Sequence, residues 1–132
     1  MSGSSFDQPP AFFSLADYRD TDTFALDCTA NMLARNNQIA SVGAAVITRT
    51  DGTTVGTGDY TVTNIQVLPV GAVVPTPSGQ STQVTYPGTW FSWTGSGGVD
   101  GIGYNLTFPI TLVKKNVVIY RTVQINTSSN VG

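Results

Sequence analysis

Large apolar residues recur at every second position along most of this chain, and that period predicts β-strands. The clearest case runs from Tyr104 to Val113, where Tyr, Leu, Phe, Ile and Leu alternate with mostly polar residues. Strands are also predicted at Phe24–Cys28, Ile39–Thr48, Tyr60–Leu68, Thr82–Thr94 and Val117–Ile125, with a short edge piece at Val70–Val74. About seven strands separated by turn residues predict an all-β sandwich or small barrel.

The segments between the strands have the composition of turns. Asp51-Gly52, the glycine-rich stretch Gly95–Gly98 and Lys114–Asn116 are the strongest turn signals. Asn31–Gln38 is polar, and one helical turn is predicted there at Met32-Leu33. Pro87-Gly88 interrupts the Thr82–Thr94 segment, which therefore forms either two short strands or one kinked strand.

Three regions follow from this pattern: an N-terminal arm over residues 1–23, a sandwich domain over 24–126 and a polar tail over 127–132. Pro9-Pro10 forbids a regular helix or a central strand at that point of the arm. The arm carries large apolar residues that must pack on their own domain or on a neighbour, and these interface candidates are Phe12, Phe13, Leu15 and Tyr18. We hypothesise that residues 6–22 dock on a neighbouring subunit, so that deletion of 1–22 leaves a folded domain that no longer assembles.

The segment Asp100-Gly101-Ile102-Gly103-Tyr104 opens the penultimate strand and favours an immunoglobulin-like fold. A tyrosine at that point in such folds often forms a tyrosine corner, in which its hydroxyl bonds the backbone a few residues upstream. Tyr104 and Asp100 are therefore structural candidates, and the alternative is a glycine turn with an ordinary core tyrosine. The predicted fold is an immunoglobulin-like antiparallel β-sandwich of about seven strands with an extended N-terminal arm, lacking the disulfide of antibody domains because Cys28 is the only cysteine.

Charge is scarce in this sequence. Charged residues make up 11% of the chain against about 25% in typical proteins, and the formal net charge is -2. Such a surface is either solvated by Thr, Ser, Asn, Gln and Gly or covered in part by partners. The small net charge predicts no binding to nucleic acid or to an anionic membrane, and no apolar run reaches the length of about 18 residues that could span one. The N-terminal residues lack the regions of a signal peptide, which predicts folding in a reducing cytoplasm.

Catalytic chemistry is also limited, because the sequence contains neither histidine nor glutamate. This excludes Ser-His-Asp triads, Cys-His pairs and histidine metal sites, so we predict no enzymatic activity, no cofactor and no small-molecule substrate. Cys28 is expected to be a buried structural thiol. The acidic residues near the N-terminus are expected to be solvated, with a calcium site as the alternative, and they are Asp17, Asp20, Asp22 and Asp27.

Two further groups of side chains are candidates for contacts. If the strand alternates, Trp90 and Phe91 point to opposite faces, so that one is core and the other is exposed or interfacial. Trp90, Phe91 and Trp93 have three candidate roles: core packing, a protein interface and, together with Tyr86, a sugar-stacking platform. The basic residues of the last hairpin are expected to protect an edge strand from aggregation, with a ligand site as the alternative, and they are Lys114, Lys115 and Arg121.

The order of several short segments is also informative. These segments are Phe24-Ala25-Leu26-Asp27, Gln38-Ile39-Ala40-Ser41, Val46-Ile47-Thr48, the run from Gly101 to Ile110, and Arg121-Thr122-Val123-Gln124-Ile125. Together they resemble the small bacteriophage virion proteins called fiber–tail adaptors, over residues 20 to 126. The chain departs from that pattern in two ways: it lacks a clean aromatic strand directly after Ile39-Ala40-Ser41, and its middle, 69–98, is longer. No residues of known function transfer.

The resemblance implies a component of a phage particle, made in the bacterial cytoplasm and assembled in the virion at the tail or at the head–tail neck. It would act there as a symmetric homo-oligomer that links a connector ring to fibres. Its partners would be other virion proteins: a portal, connector or tail-tube subunit and a fibre protein. The alternatives are a capsid decoration protein, also often a small β-sandwich, and a carbohydrate-binding module.

Overall fold

A computed structural model describes residues 11–16, 21–75 and 81–127 of the chain. Within them lie one short helix and ten strands: β1 Ala11–Ala16, β2 Thr21–Asp27, α1 Thr29–Arg35, β3 Ile39–Val42, β4 Val46–Arg49, β5 Thr61–Val67, β6 Val73–Pro75, β7 Ser81–Gln83, β8 Trp90–Ser96, β9 Gly103–Leu112 and β10 Val118–Thr127. The predicted all-β class is confirmed. Pro87 and Gly88 separate β7 from β8, so the Thr82–Thr94 segment is two strands.

The strands form two main sheets and one small hairpin. One sheet has the order β1-β10-β9-β3, and β4 pairs with β9 on the same edge as β3, at residues 104–107. The second sheet has the order β2-β8-β5, while β6 and β7 pair with each other. All these pairs are antiparallel except β1 with β10. The pairings establish an antiparallel sandwich, and its immunoglobulin-like character stays a prediction.

Aromatic side chains from both sheets meet in the core. The Phe108 ring of β9 lies 4.9 Å from that of Phe91 and 4.8 Å from that of Trp93, both on β8, measured between ring centroids. All three side chains are fully buried. Because β8 and β9 belong to different sheets, these contacts join the two layers of the sandwich, and burial of three aromatic rings supplies a large share of the apolar stabilisation.

The last two strands follow the sequence pattern closely. Along β9 and β10 burial alternates residue by residue, as the period of two predicts. The Lys114–Asn116 segment joins them, and both Lys115 and Asn116 take positive φ, which lets the chain reverse within a few residues. The predicted hairpin is therefore present.

The helix α1 begins and ends by local hydrogen bonding. Asp27 Oδ1 accepts the N–H of Thr29 at 2.8 Å, next to the first turn. The helix ends at Asn36, which takes a left-handed conformation that an asparagine tolerates, and its N–H bonds back to the helix carbonyls. The result is a seven-residue helix, where the sequence pattern indicated a single helical turn.

The structure changes the prediction of an N-terminal arm over residues 1–23. Ala11–Ala16 forms β1 and pairs in parallel with β10 of the same chain, with Phe12 in register with Gln124 and Phe13 with Ile125. Strand β2 already begins at Thr21. The structured domain thus starts before residue 24, and deletion of residues 1–22 would remove a paired strand instead of a docking arm. The sheet also extends to Thr127, one residue into the predicted tail.

The structure also changes the predicted role of Arg121. The residue was expected to protect a free edge, but its side chain lies on the inner face of β10, which β9 pairs along its length and β1 pairs from Val123 to Thr127. Arg121 faces inward and is buried, and its Nη1 donates to the carbonyl of Tyr120 at 2.8 Å. The alternation of β10 assigns it to the inner face, because Ile119 and Val123 on either side are core residues.

Candidate protein-interaction surfaces

A buried hydrogen-bond network centres on Tyr104, at the start of β9. Its hydroxyl donates to Asp59 Oδ1 at 2.6 Å and accepts the backbone N–H of Val99 at 2.9 Å. The bond to Val99, five residues upstream, is the type of contact that the tyrosine-corner hypothesis expects. The carboxylate partner is Asp59, 45 residues away in sequence, whereas Asp100 lies in an exposed turn.

Asp59 is surrounded by donors. Arg49 Nε donates to Oδ1 at 3.0 Å and Arg49 Nη2 to Oδ2 at 3.1 Å, while the N–H of Gly56 donates to Oδ2 at 2.6 Å. The Tyr104 hydroxyl, then the Gly56 N–H, and then the Arg49 guanidinium lower the pKa of Asp59, against the opposing effect of burial. A carboxylate with these bonds on both oxygens ties the loop between β4 and β5 to the end of β4 and to β9, which is a structural role.

Acid is expected to destabilise the protein through this carboxylate. Because the folded-state pKa of Asp59 lies below its unfolded value, its contribution to stability is present above about pH 4 and is lost as the pH falls through the folded-state pKa. Tyr104 has the opposite sign. Burial first and Asp59 second raise its pKa, so its contribution is present below about pH 10 and is lost as the pH rises further. Thermal unfolding followed by circular dichroism across this pH range tests both effects, as the acid limb and the alkaline limb of the curve of stability against pH.

Two variants separate this network from the other titrating groups. Asp59→Asn is expected to lower the unfolding midpoint at neutral pH and to flatten the acid limb, since no carboxylate remains to be protonated. Tyr104→Phe is expected to flatten the alkaline limb and also to soften the acid one. Parallel acid limbs for the wild-type protein and Asp59→Asn would rule out the network as the source of acid sensitivity.

The Tyr104 network holds a projecting turn at this end of the sandwich. Beyond the bond from Val99 to Tyr104, the N–H of Gly101 donates to the Thr127 carbonyl at 2.9 Å and the N–H of Ile102 donates to the Val99 carbonyl at 3.0 Å. Gly101 has φ +82°, which a glycine adopts without strain. We call residues 99–101 the acidic turn, since it presents Val99 and the carboxylate of Asp100 at the surface.

A groove lies at the opposite end of the sandwich, between α1 and the β9–β10 hairpin. Its volume is about 230 Å³, and Met32 and Thr89 form a buried base. Exposed apolar side chains line its walls: Leu33, Tyr86 and Val113. Lys114 lines the groove, and Arg35 and Lys115 stand beside it in an adjoining shallow pocket. We call this the basic groove.

The outer face of the larger sheet carries no charged side chain on the described strands β3, β4, β9 and β10. Alternation and register place these residues on it: Ser41, Val46, Thr48, Asn105, Thr107, Pro109, Thr111, Val118, Tyr120, Thr122, Gln124 and Asn126. Tyr120 is 62% exposed, Val118 is exposed two residues before it on β10, and Val46 is exposed on β4 of the same sheet. Thr107 and Thr122 join their hydroxyls across the strands at 3.0 Å. We call this surface the uncharged face.

The structure places two of the predicted interface residues in the core. Phe91 and Trp93 are fully buried core residues, so no partner can reach them, and Trp90 is half-buried on the other side of β8. Phe12, Phe13 and Leu15 belong to β1. Tyr18 lies outside the described residues. Tyr86, considered as part of the sugar-stacking platform, is about half exposed, and Tyr120 is exposed too. Tyr120 was not singled out, although the alternation of β10 placed it opposite the core positions of that strand.

Cys28 is buried at the start of α1. Burial raises the pKa of its thiol to about 12, with Arg121 acting in the opposite direction. The thiol therefore stays protonated at neutral pH, a state that is a poor nucleophile and a poor metal ligand. The structure agrees with the expected structural role of this residue.

Among the described residues, no three His, Cys, Asp or Glu side chains come together in a group that could hold a metal ion. Asp17 and Asp20, considered for calcium, lie outside those residues. Within the same part of the chain, no helix has the length and hydrophobicity needed to cross a bilayer. No protein-family model, curated protein or solved structure matches this chain.

Proposed function

We propose that this protein is a non-enzymatic structural component of a bacteriophage virion, an adaptor that joins a tail or neck ring to tail fibres by protein–protein contacts. The uncharged face is the observation that carries the proposal. The resemblance of the chain to fiber–tail adaptors supplies the virion context, with assembly in the bacterial cytoplasm as a symmetric homo-oligomer.

The uncharged face has the composition of an interface centre. Such centres are depleted of charged residues and enriched in tyrosine, and here Tyr120 stands exposed among Thr, Val, Asn and Gln side chains. Covering this surface would desolvate no charge, so no unpaired charge would oppose binding. Its hydroxyl and amide groups can form hydrogen bonds with a partner, which favours a defined register between the two proteins.

Two other functions are weighed against the adaptor. A capsid decoration protein would use the same kind of face and differ in copy number. A carbohydrate-binding module was considered because of Trp90, Phe91 and Trp93. Since Phe91 and Trp93 are buried, only the half-buried Trp90 and the exposed Tyr86 of that group are accessible to a sugar, and the proposal for carbohydrate loses much of its support.

Quantification of the chain in purified particles from its source tests the proposal. Mass spectrometry against a portal or tail-tube subunit as internal standard gives the copy number of the chain per particle. We expect that number to equal the subunits of one symmetric ring or a small multiple of them. A ratio comparable to that of the major capsid protein would identify a decoration protein. Absence of the chain from particles would overturn the virion function altogether.

A matched pair of variants tests the role of the uncharged face. Val118→Asp places a charge on it, whereas Val70→Asp places the same charge at a similarly exposed valine in the loop after β5. We expect Val118→Asp to reduce incorporation into particles at least about tenfold, because a buried unpaired carboxylate costs several kcal/mol, and Val70→Asp to incorporate normally. Equal incorporation of both variants would remove the uncharged face from the proposed interface.

A further inference from the structure

We propose that copies of this protein associate head to tail, with the acidic turn of one copy seated in the basic groove of the next. The proposal deepens the proposed function and rests on its homo-oligomer, since it names a second copy of this chain as a partner and assigns the contact. It uses surfaces at the two ends of the sandwich and leaves the uncharged face open for other virion proteins.

The two ends carry opposite charge. Around the groove stand Arg35, Lys114 and Lys115, and the nearest carboxylate along the chain is Asp27, at the other end of α1. At the opposite end lie the carboxylates of Asp51, which accepts hydrogen bonds from Thr53, of Asp59, which is paired with Arg49, and of Asp100. Opposite charges on the two ends of one molecule favour end-to-end contact and disfavour contact between like ends.

The chemistry of the turn also matches that of the groove. The turn presents an exposed valine next to a carboxylate, while the groove has apolar walls with a lysine at its rim. Val99 would contact Leu33 and Val113, and the Asp100 carboxylate would face Lys114. Leu33, Tyr86 and Val113 are each about half exposed, so covering them removes apolar surface from water.

A chain cannot place its own acidic turn in its own basic groove. The turn precedes the first residue of β9, and Val113 and Lys114 of the groove follow its last residue. Ten residues of extended strand separate the two by about 30 Å. The occupant must therefore come from a second molecule. Because the two contacting surfaces differ, the association is heterologous and produces a ring if the rotation closes.

The Tyr104 network prepares the turn for this role. Hydrogen bonds from Val99, Gly101 and Ile102 fix its backbone, so little conformational entropy would be lost when it binds. The Tyr104 side chain joins the turn to β9, and its bond to Asp59 holds that side chain in place. The turn is thus a rigid projection, as a contact that sets the geometry of a ring requires.

Sedimentation of the purified full-length chain tests the contact. The wild-type protein is expected to associate as its concentration rises, and to do so at least about tenfold more weakly in about 1 M salt, where charges are screened within about 3 Å. Asp100→Lys and Lys114→Glu are each expected to weaken association at least about tenfold, because each brings like charges together. Thr63→Lys, an exposed change in the middle of β5, is the control and should associate like the wild-type protein.

An equimolar mixture of the two charge-reversed variants is the decisive sample. Each variant keeps one native end, and the reversed ends also complement each other, so the mixture should regain the association of the wild-type protein. Recovery also shows that both variants are folded. A wild-type chain that stays monomeric at millimolar concentration and low salt, or a mixture no better than its components, would overturn the proposal. Absence of the chain from particles with association intact would instead overturn the proposed function alone.

Discussion

Phe108→Ala is expected to remove about 4 kcal/mol from the free energy of unfolding. The Phe108 ring is fully buried and contacts Phe91 and Trp93 across the interface between the two sheets. Its loss leaves a cavity that the paired strands β8 and β9 cannot close, because each is hydrogen-bonded on both sides. Since a domain of this size has about 5–15 kcal/mol of stability, this single change would remove a large fraction of it.

Urea unfolding followed by tryptophan fluorescence measures this loss. Phe108→Leu, which retains most of the side-chain volume, should cost clearly less than Phe108→Ala. Tyr120→Ala, an exposed truncation on the neighbouring strand, should change stability by no more than about 0.5 kcal/mol. A Phe108→Ala protein with an unchanged urea midpoint would contradict the assignment of Phe108 to the centre of the core.

The strands that the sequence predicts best are those with one buried and one outer face. In β9 and β10 large apolar residues recur with a period of two, so both the strands and their inner faces are predictable. The same period would have shown that Arg121 shares a face with Ile119 and Val123. A basic side chain is ordinarily expected to be exposed, but the position of Arg121 in the alternation of β10 places it on the inner face.

Strand β1 was harder to predict because its pairing is not local. Ala11–Ala16 pairs with residues more than a hundred positions later, in parallel. A parallel pairing needs a long connection and leaves no turn signal between its partners. The apolar residues of this segment therefore indicated only that it packs somewhere, and the pairing with β10 shows that it packs on its own domain.

The network at the acidic end shows the same limit. The sequence indicates Tyr104 by its position just after a glycine-rich turn, but the acid expected beside it was Asp100, the nearest one in sequence. The partner is Asp59, which the pairing of β4 with β9 and the fold of the intervening loop bring to the Tyr104 hydroxyl. Contacts between side chains far apart in sequence depend on topology, which a single sequence does not specify.

The scarcity of charge has a structural counterpart in where the charges lie. Along the described strands, the outer face of the larger sheet has none, while lysine and arginine gather beside the groove and aspartate at the other end. An even surface distribution would leave no direction for assembly. Two ends of opposite charge and an uncharged side suit a protein whose copies associate end to end while each copy also binds a different partner through its side.

Gly95→Ala is expected to cost about 3 kcal/mol of stability, although the same change is mild in most strands. A Cβ at position 95 would lie 1.7 Å from the Tyr60 hydroxyl oxygen and 2.4 Å from Tyr60 Cζ. Tyr60 cannot easily move aside, because it is buried and its ring stacks on that of Tyr104, with the centroids 5.8 Å apart. The clash would therefore be transmitted to the tyrosine that holds the acidic turn.

Chemical unfolding of Gly95→Ala beside Gly56→Ala tests this argument. Gly56 has no atom within 4 Å of an added Cβ and no positive φ, so its replacement should be neutral or stabilise the protein by up to about 1 kcal/mol. In a Tyr60→Ala background the cost of Gly95→Ala should fall below about 1 kcal/mol, since the clashing ring is gone. An equal cost in both backgrounds would mean that Gly95 is required for some reason other than Tyr60. With the ring as the cause, Gly95→Ala should also weaken head-to-tail association in proportion to the disorder of the acidic turn, because Tyr60 supports Tyr104 and Tyr104 holds Val99.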